Sequence, residues 1–420
     1  MTSVAYAALW IFIFSVPWEV LGASNGVAII SRVTGGAALG LVLITVAISG
    51  QFRRLHPFHI AALIFLIWIA INLFIFSHAP RVPHRFWTFI QLGLVVWMIW
   101  ECARSWRRLV GLLVAYVLGA YVAAFETILL YRRMAGELRR FTAGDTDPND
   151  LAMTLALALP MAWYLGTTHR QTLVRWISRA YLPVGVLAIL LTGSRGGLLT
   201  MIVALLVVPL TMDRLTTGRL VTAVAMLAIS AGLAAAYIPH TIVERLSTTG
   251  AEVETGDLGN RRVIWRAGFH AFERRPLTGY GTSGFKRAVT PELGAASNVA
   301  HNTYLSVLVE QGIVGLIPYL LMFVAVYRAI GRLPKLERRF ALTLFATLTF
   351  AILSLTWEDS KPLWIILAVL VGLSQAWISA GGGVVRPMGP ARTELELSHR
   401  AAVRRREPLT TPRANPEAIA

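Results

Sequence analysis

Three short stretches carry side chains out of character with their surroundings. In "ILLTGSRGGLLTMIV", residues 189–203, Arg195 interrupts an apolar run between glycines. Burying a guanidinium among leucines is costly unless something pairs with it, so Arg195 sits at a membrane edge or meets an anion, with an acidic side chain as the competing partner. In "NRRVIWRAG", Asn260 is placed to cap a helix whose first turn holds Arg261 and Arg262. The helix dipole disfavours cations there by about 0.3–1 kcal/mol each. Phosphates are attracted to the free N–H groups at such an end. The pair is therefore a diphosphate site or a solvated basic turn. In "HNTYLSVLVEQGIVGL", His301 stands at the mouth of an apolar helix. An imidazole with an ordinary pKa of about 6.5 serves as general base or as hydrogen-bond donor to an anion. It can also merely cap the helix. Thr303, Ser306 and Glu310 follow along one face, which puts Glu310 inside as a partner for arginine or as a structural acid.

Two further motifs resemble known ligand loops. "GYGTSG" at residues 279–284 fits G-x-G-x-x-G, but no strand precedes it and no βαβ unit surrounds it, so a dinucleotide fold is rejected. A flexible loop with exposed backbone beside a ligand, including Gly281, is the better expectation. "DTDPND" at residues 145–150 begins like a calcium loop. Its sixth position is Asp150 rather than glycine and its twelfth is Ala156 rather than glutamate. A helix start, with Asp147 as cap and Pro148 at the first position, accounts for it, and a sugar contact from these side chains is the alternative.

These groups must be positioned by membrane helices. Of 420 residues, 56% are hydrophobic and only 15% charged, with a mean hydropathy of +0.62. About 20 apolar residues span a bilayer core. Spans are expected near 4–21, 27–49, 57–77, 86–102, 107–130, 149–167, 176–192, 196–212, 219–238, 302–327, 340–357 and 362–379. The fold class is thus an all-α integral membrane protein with about twelve transmembrane helices and one large periplasmic loop, 240–300, holding an amphipathic helix. Val4 to Leu21 is read as an uncleaved first span, since no basic region precedes it. Cys102 is the single cysteine, which excludes an intrachain disulfide and a cysteine metal site. No metal and no cofactor are expected.

The net charge of +17 comes from 39 Lys+Arg against 22 Asp+Glu. Nucleic acid is not the expected partner, because the arginines punctuate apolar segments, as topology signals and contacts to anionic membrane lipids do. With both termini cytoplasmic, the joints carrying Arg53 and Arg54, Arg104, Arg107 and Arg108, Arg170 and Arg175, Arg214 and Arg219, and Arg332 to Arg339 all fall inside. The opposite joints "GASNG" and "WEDSK" are poor in basic residues. "RVPHR" at Arg81–Arg85, the segment Tyr131–Asp150 and the loop 240–300 break this pattern, which makes sense if the outer face holds an anion. The chain divides into N-terminal membrane helices (1–130), a core (131–330), two last membrane helices (331–380) and a disordered cytoplasmic tail (381–420).

Together, "LLTGSRGGLL", "NRRVIWRAG…RRPLTGYGTSGF" and "HNTYLSVLVEQGIVGL" resemble, in order and spacing, the O-antigen ligase and Wzy-type polymerase superfamily of bacterial membrane glycosyltransferases. The resemblance covers roughly Asp147 to Leu320, and the first third of the chain is similar only in hydropathy. It implies an inner-membrane enzyme whose core, 131–330, transfers a glycan at the periplasmic face without a metal. The donor would be an undecaprenyl-diphosphate-linked glycan and the acceptor a lipid A core or a growing glycan. Arg195 matches the arginine of the family's Ser-Arg-Gly motif, Arg261 the loop arginine four residues before a tryptophan, here Trp265, and His301 the histidine opening the late span. These three are the expected catalytic groups, with Arg262, Ser194, Asn302 and Gly281 as substrate contacts. The alternatives are a secondary transporter of an anionic substrate and a non-catalytic envelope-assembly protein. A transporter would show paired helix interruptions in its two halves, and none is visible.

Overall fold

The computed structural model describes residues 2–19, 28–50, 52–75, 82–134, 147–211, 217–254, 256, 260–296 and 298–381. Arg81, most of the segment 131–150 and the tail beyond Gly381 lie outside them. No strand occurs among the described residues. The chain opens with α1 (Thr2–Ser15), α2 (Ala28–Ser49), α3 (Pro57–Ile75), α4 (Val82–Cys102) and α5 (Trp106–Met134). Then come α6 (Pro148–Thr168), α7 (Thr172–Leu191), α8 (Arg195–Leu205), α9 (Val207–Thr211) and α10 (Thr217–Tyr237). Four short helices follow: α11 (His240–Ser247), α12 (Thr249–Glu254), α13 (Arg261–Arg274) and α14 (Phe285–Leu293). The long α15 (Thr303–Ile330), α16 (Lys335–Ala351) and α17 (Lys361–Ser379) complete the bundle.

Among the described residues the twelve expected spans overlap helices, with 196–212 split between α8 and α9. Eight of these helices are long and apolar enough to cross a membrane: α2, α3, α5, α6, α7, α10, α15 and α17. The other four segments show why the count is smaller by this measure. α1 and the α8–α9 pair are short. Charges trim the apolar stretches of α4, which carries Arg85 and Glu101, and of α16, whose first turns hold Lys335, Glu337, Arg338 and Arg339.

α6 is the axis of the bundle. Every residue from Leu151 to Gly166 is buried, as a helix apolar on all sides must be when neighbours surround it. α5, α7, α8 and α16 pack around it. α3 and α10 instead present large aliphatic side chains outward, among them Ile60, Ile64, Leu227 and Ile229, the surface a lipid-facing helix offers.

At one end of the bundle basic joints converge. Arg53 stacks on Trp100, its guanidinium carbon 3.6 Å from the ring centroid, and Glu101 pairs with Arg104 at 2.5 Å. His56 feels the charges of Arg332 and Arg53. Arg328 closes the last turn of α15 and shares a groove with His56 and Arg332. The other end of α15, about 40 Å away at 1.5 Å per residue, begins at His301 and Asn302.

Candidate active site

The loop "GYGTSG" packs onto a break in α15. At Gly312 the backbone leaves the helical region, with φ 64° and ψ −170°. The gap this opens is filled by the incoming loop: the Ile313 N–H donates to the Pro276 carbonyl at 2.8 Å, and the Tyr280 and Gly281 N–H groups donate to the carbonyls of Val309 and Glu310 at 3.0 and 2.8 Å. A Cβ on Gly312 would overlap the Leu277 carbonyl, and one on Gly279 would overlap the backbone of Val309 and Glu310. The glycines are therefore needed for close approach between two backbones. The loop's next N–H groups, those of Ser283 and Phe285, donate to the Glu310 carboxylate at 2.9 and 3.2 Å. This loop is thus fastened to α15, where the sequence suggested a flexible one. Gly281 is buried, and its N–H is engaged by Glu310.

Glu310 belongs to a charged knot. The Arg85 guanidinium reaches Glu310 at 3.2 Å, Glu358 at 2.8 Å and Asp359 at 2.7 Å. Ser306 donates to Glu358 at 2.9 Å, and the Thr303 hydroxyl donates to the Leu355 carbonyl at 2.8 Å. The polar face of α15 therefore reads against the joint between α16 and α17. The sequence reading of Glu310 as a partner for arginine fits, and Arg85, from the "RVPHR" segment, is that partner.

The same joint sets His301. The His301 N–H donates to the Thr356 hydroxyl at 2.9 Å, and the Thr303 N–H donates to the Ile352 carbonyl at 2.9 Å. His301 takes φ 47°, a left-handed conformation uncommon outside glycine and held only where the surroundings impose it. Asn302 caps α15 by accepting the Leu305 N–H at 3.0 Å. Burial first, and then the Arg261 charge, push the imidazole below its usual range, against a smaller opposite pull from Asp147. His301 is accordingly neutral near pH 7.

A cavity of about 610 Å³ opens at this point. His301, Asp147, Asp150, Lys286, Arg85 and Glu310 are among its walls. Asp147 caps α6 by accepting the Asn149 and Asp150 N–H groups, as its sequence context predicts, and Trp357 donates to Asp150 at 3.0 Å. Arg261 is half-buried in the first turn of α13. Burial depresses its protonation, and Asp147 counters that. So Arg261 is within electrostatic reach of Asp147 and His301, which line the cavity. Asn260 precedes the helix in a left-handed conformation, φ 67°, and its side chain makes no cap hydrogen bond. The expected capping side chain is replaced by a backbone turn. α13 buries Ile264, Ala267, Gly268 and Ala271, and Trp265 donates to the Ala300 carbonyl at 2.9 Å, tying the arginine's helix to the residue before His301.

The remaining sequence candidates lie on the same end of the bundle but off the cavity wall. Ser194 caps α8 by accepting the Gly197 N–H at 3.0 Å and donates to Asn149 at 2.7 Å, which links α8 to the Asp147 cap. A Cβ on Gly197 would overlap Ala152, so α8 and α6 touch where the "SRGG" glycines fall. The Arg195 guanidinium turns to α11, donating to the Arg245 carbonyl at 3.2 Å and the Thr248 hydroxyl at 2.7 Å. Arg262 is exposed on the first turn of α13. Lys286 and His84 also line the cavity. His84 belongs to the "RVPHR" segment that the charge pattern singles out, whereas Lys286 stands in no patterned motif and enters through the packing of α14.

No curated protein matches the chain. Residues 180–320 match the family model Wzy_C, described as O-antigen ligase. That stretch runs from the second half of α7 into α15, and so contains Arg195, Arg261, His301, the glycine loop and Glu310. Over residues 180–320, about a third of its length, the chain is therefore similar to the O-antigen ligase family.

Proposed function

We propose that the protein is a membrane glycosyltransferase that moves a glycan from an undecaprenyl-diphosphate carrier to an acceptor hydroxyl. The observation that carries this reading is the neutral imidazole of His301 on the wall of a roomy cavity, within electrostatic reach of Arg261. Both lie inside the matched domain. The acceptor oxygen attacks the anomeric carbon and gives its proton to His301. The bond from that carbon to the diphosphate breaks, and the electron pair leaves with the diphosphate. A guanidinium aimed at that growing charge is worth about 2.7–4 kcal/mol of barrier; this role is assigned to Arg261, in a step without a metal. Arg195, at the start of α8, and the exposed Arg262 are assigned to the donor's entry, while Ser194, Asn302 and Gly281 hold the surrounding backbone. The basic joints gathered at the far end support a cavity that faces the periplasm.

Ligase and polymerase differ in acceptor, a lipid A core or a growing glycan. The test is carrier-lipid analysis in a deletion strain complemented with wild type, Arg261→Ala or His301→Ala. A ligase leaves polymerised glycan on the carrier in the null and in both variants, and a polymerase leaves single repeat units. Wild-type carrier pools and surface glycan from both variants at normal abundance would overturn the reading. Gradient-driven uptake by the purified protein, with no bond cleaved, would make it a transporter instead.

A further inference from the structure

A second concavity, of about 320 Å³, lies at the opposite end of the bundle between α3 and α15. Its rim is His56, Arg328 and Arg332, and its walls are apolar, with Ile60, Ile64, Leu321 and Val324. Those four side chains are 43–49% exposed and run along the lipid-facing sides of the two helices. Positive charge thus sits at the helix ends, and an aliphatic stripe extends from it toward the bilayer interior.

Among the described residues the charge at this rim is unanswered: neither Arg328 nor Arg332 has an acidic partner. The nearby acid, Glu101, is taken by Arg104 and by the Arg53 N–H. Cations at the end of α15 also complement its dipole, a small benefit when exposed. That benefit does not require the apolar groove beneath them. The His56 Nδ1 accepts the Phe58 N–H at 3.2 Å, which leaves its proton on Nε2 as a donor. Burial, then Arg332 and Arg53, push this imidazole down to about 4, so it is neutral there.

We infer that this groove binds one anionic phospholipid, its phosphate between Arg328, Arg332 and the His56 Nε2–H and an acyl chain along Ile60, Ile64, Leu321 and Val324. The order of charge and then hydrocarbon along the helices selects a lipid over a free anion, which has no use for the aliphatic stripe. Basic sites between transmembrane helices bind anionic head groups in this way. The inference does not depend on the glycosyltransferase reading, since the site is remote from His301.

Native mass spectrometry of the purified full chain in mixed micelles tests it, with phosphatidylglycerol against phosphatidylethanolamine as probes. Wild type retains one phosphatidylglycerol selectively. Arg328→Gln and Arg332→Gln each weaken retention about fivefold. Arg107→Gln and Arg170→Gln, exposed charges in other basic joints, leave it unchanged, as does His301→Ala. Three results overturn the inference: no head-group selectivity in wild type, equal losses from the control arginines, or displacement of the lipid by inorganic phosphate alone. The first is read without any variant, so a rim variant that fails to fold does not rescue the idea.

Discussion

Two arginines at one end of the bundle are treated in opposite ways. Arg85 is enclosed by three carboxylates, and its side chain is 18% exposed beside Glu310 at 5% and Glu358 at 3%. Arg261 is half-buried, and Asp147 is the counter-charge that acts on it. The first guanidinium has its charge consumed by the fold, and it holds α4 to α15 and to the joint before α17. The second keeps charge in reserve beside a neutral imidazole. Arginine can be a rivet or an anion clamp, and the difference lies in how many acids the surrounding chain supplies.

That contrast predicts different failures. Arg85→Met strands buried carboxylates, and breaking a buried charge network by removing one partner costs about 3–5 kcal/mol. The expected outcome is loss of folded protein, read by size-exclusion in detergent and by thermal unfolding, before activity is ever measured. A well-folded Arg85→Met protein would show that the knot is dispensable. Arg261→Ala should leave the unfolding profile near wild type and lower glycan transfer about 10²–10³-fold, the loss typical of one charge-stabilising donor. Arg261→Lys should fail nearly as badly, because an ammonium lacks the planar fork that grips two phosphate oxygens. Near-normal turnover in the lysine variant would remove bidentate binding from the account.

Helices were legible in the sequence because apolar runs of about 20 residues leave few alternatives. The cap at Asp147 was equally plain, since Asp-Pro-Asn-Asp satisfies local rules that need no tertiary partner. The cavity was less so. Glu310 announced itself as an acid inside an apolar span, but its partner Arg85 lies 225 positions away in sequence, beyond any local pattern. The glycine loop reads as flexible in the sequence, whereas Gly279 lets its backbone touch that of Val309 and Glu310. The break at Gly312 that admits the loop is invisible in a run that reads as continuous helix. Lys286 enters through packing of the short α14, and nothing in "GFKRAV" marks it.

Arg195 offers a finer probe of the same contrast. It stands at a helix start in a matched motif, yet its guanidinium holds the end of α11. If those two bonds are its structural share, Arg195→Ala forfeits about 0.5–1.5 kcal/mol for each. Hydrogen exchange should then quicken across 240–248 without global unfolding. A fall in transfer much larger than this loosening explains would assign Arg195 to the donor. Parallel modest falls in both would make it a rivet like Arg85, on a smaller scale.

The smallest expected effect is a displaced pH profile, and it tests whether His301 accepts a proton. The neutral imidazole is the active form of a general base, so transfer falls as pH drops through the His301 pKa, which lies below the usual histidine value. Burial and Arg261 hold it down, and Asp147 pulls it up. Asp147→Asn removes the upward pull, so the acid limb should move to lower pH. Arg261→Gln removes a downward push, so the limb of its residual activity should move to higher pH. Asp147 has the least influence of the three, so its displacement is small and needs a profile normalised to each variant's own maximum. If His301 instead acted as an imidazolium holding the diphosphate, transfer would fall as pH rises through the same pKa, and both variants would displace that falling limb.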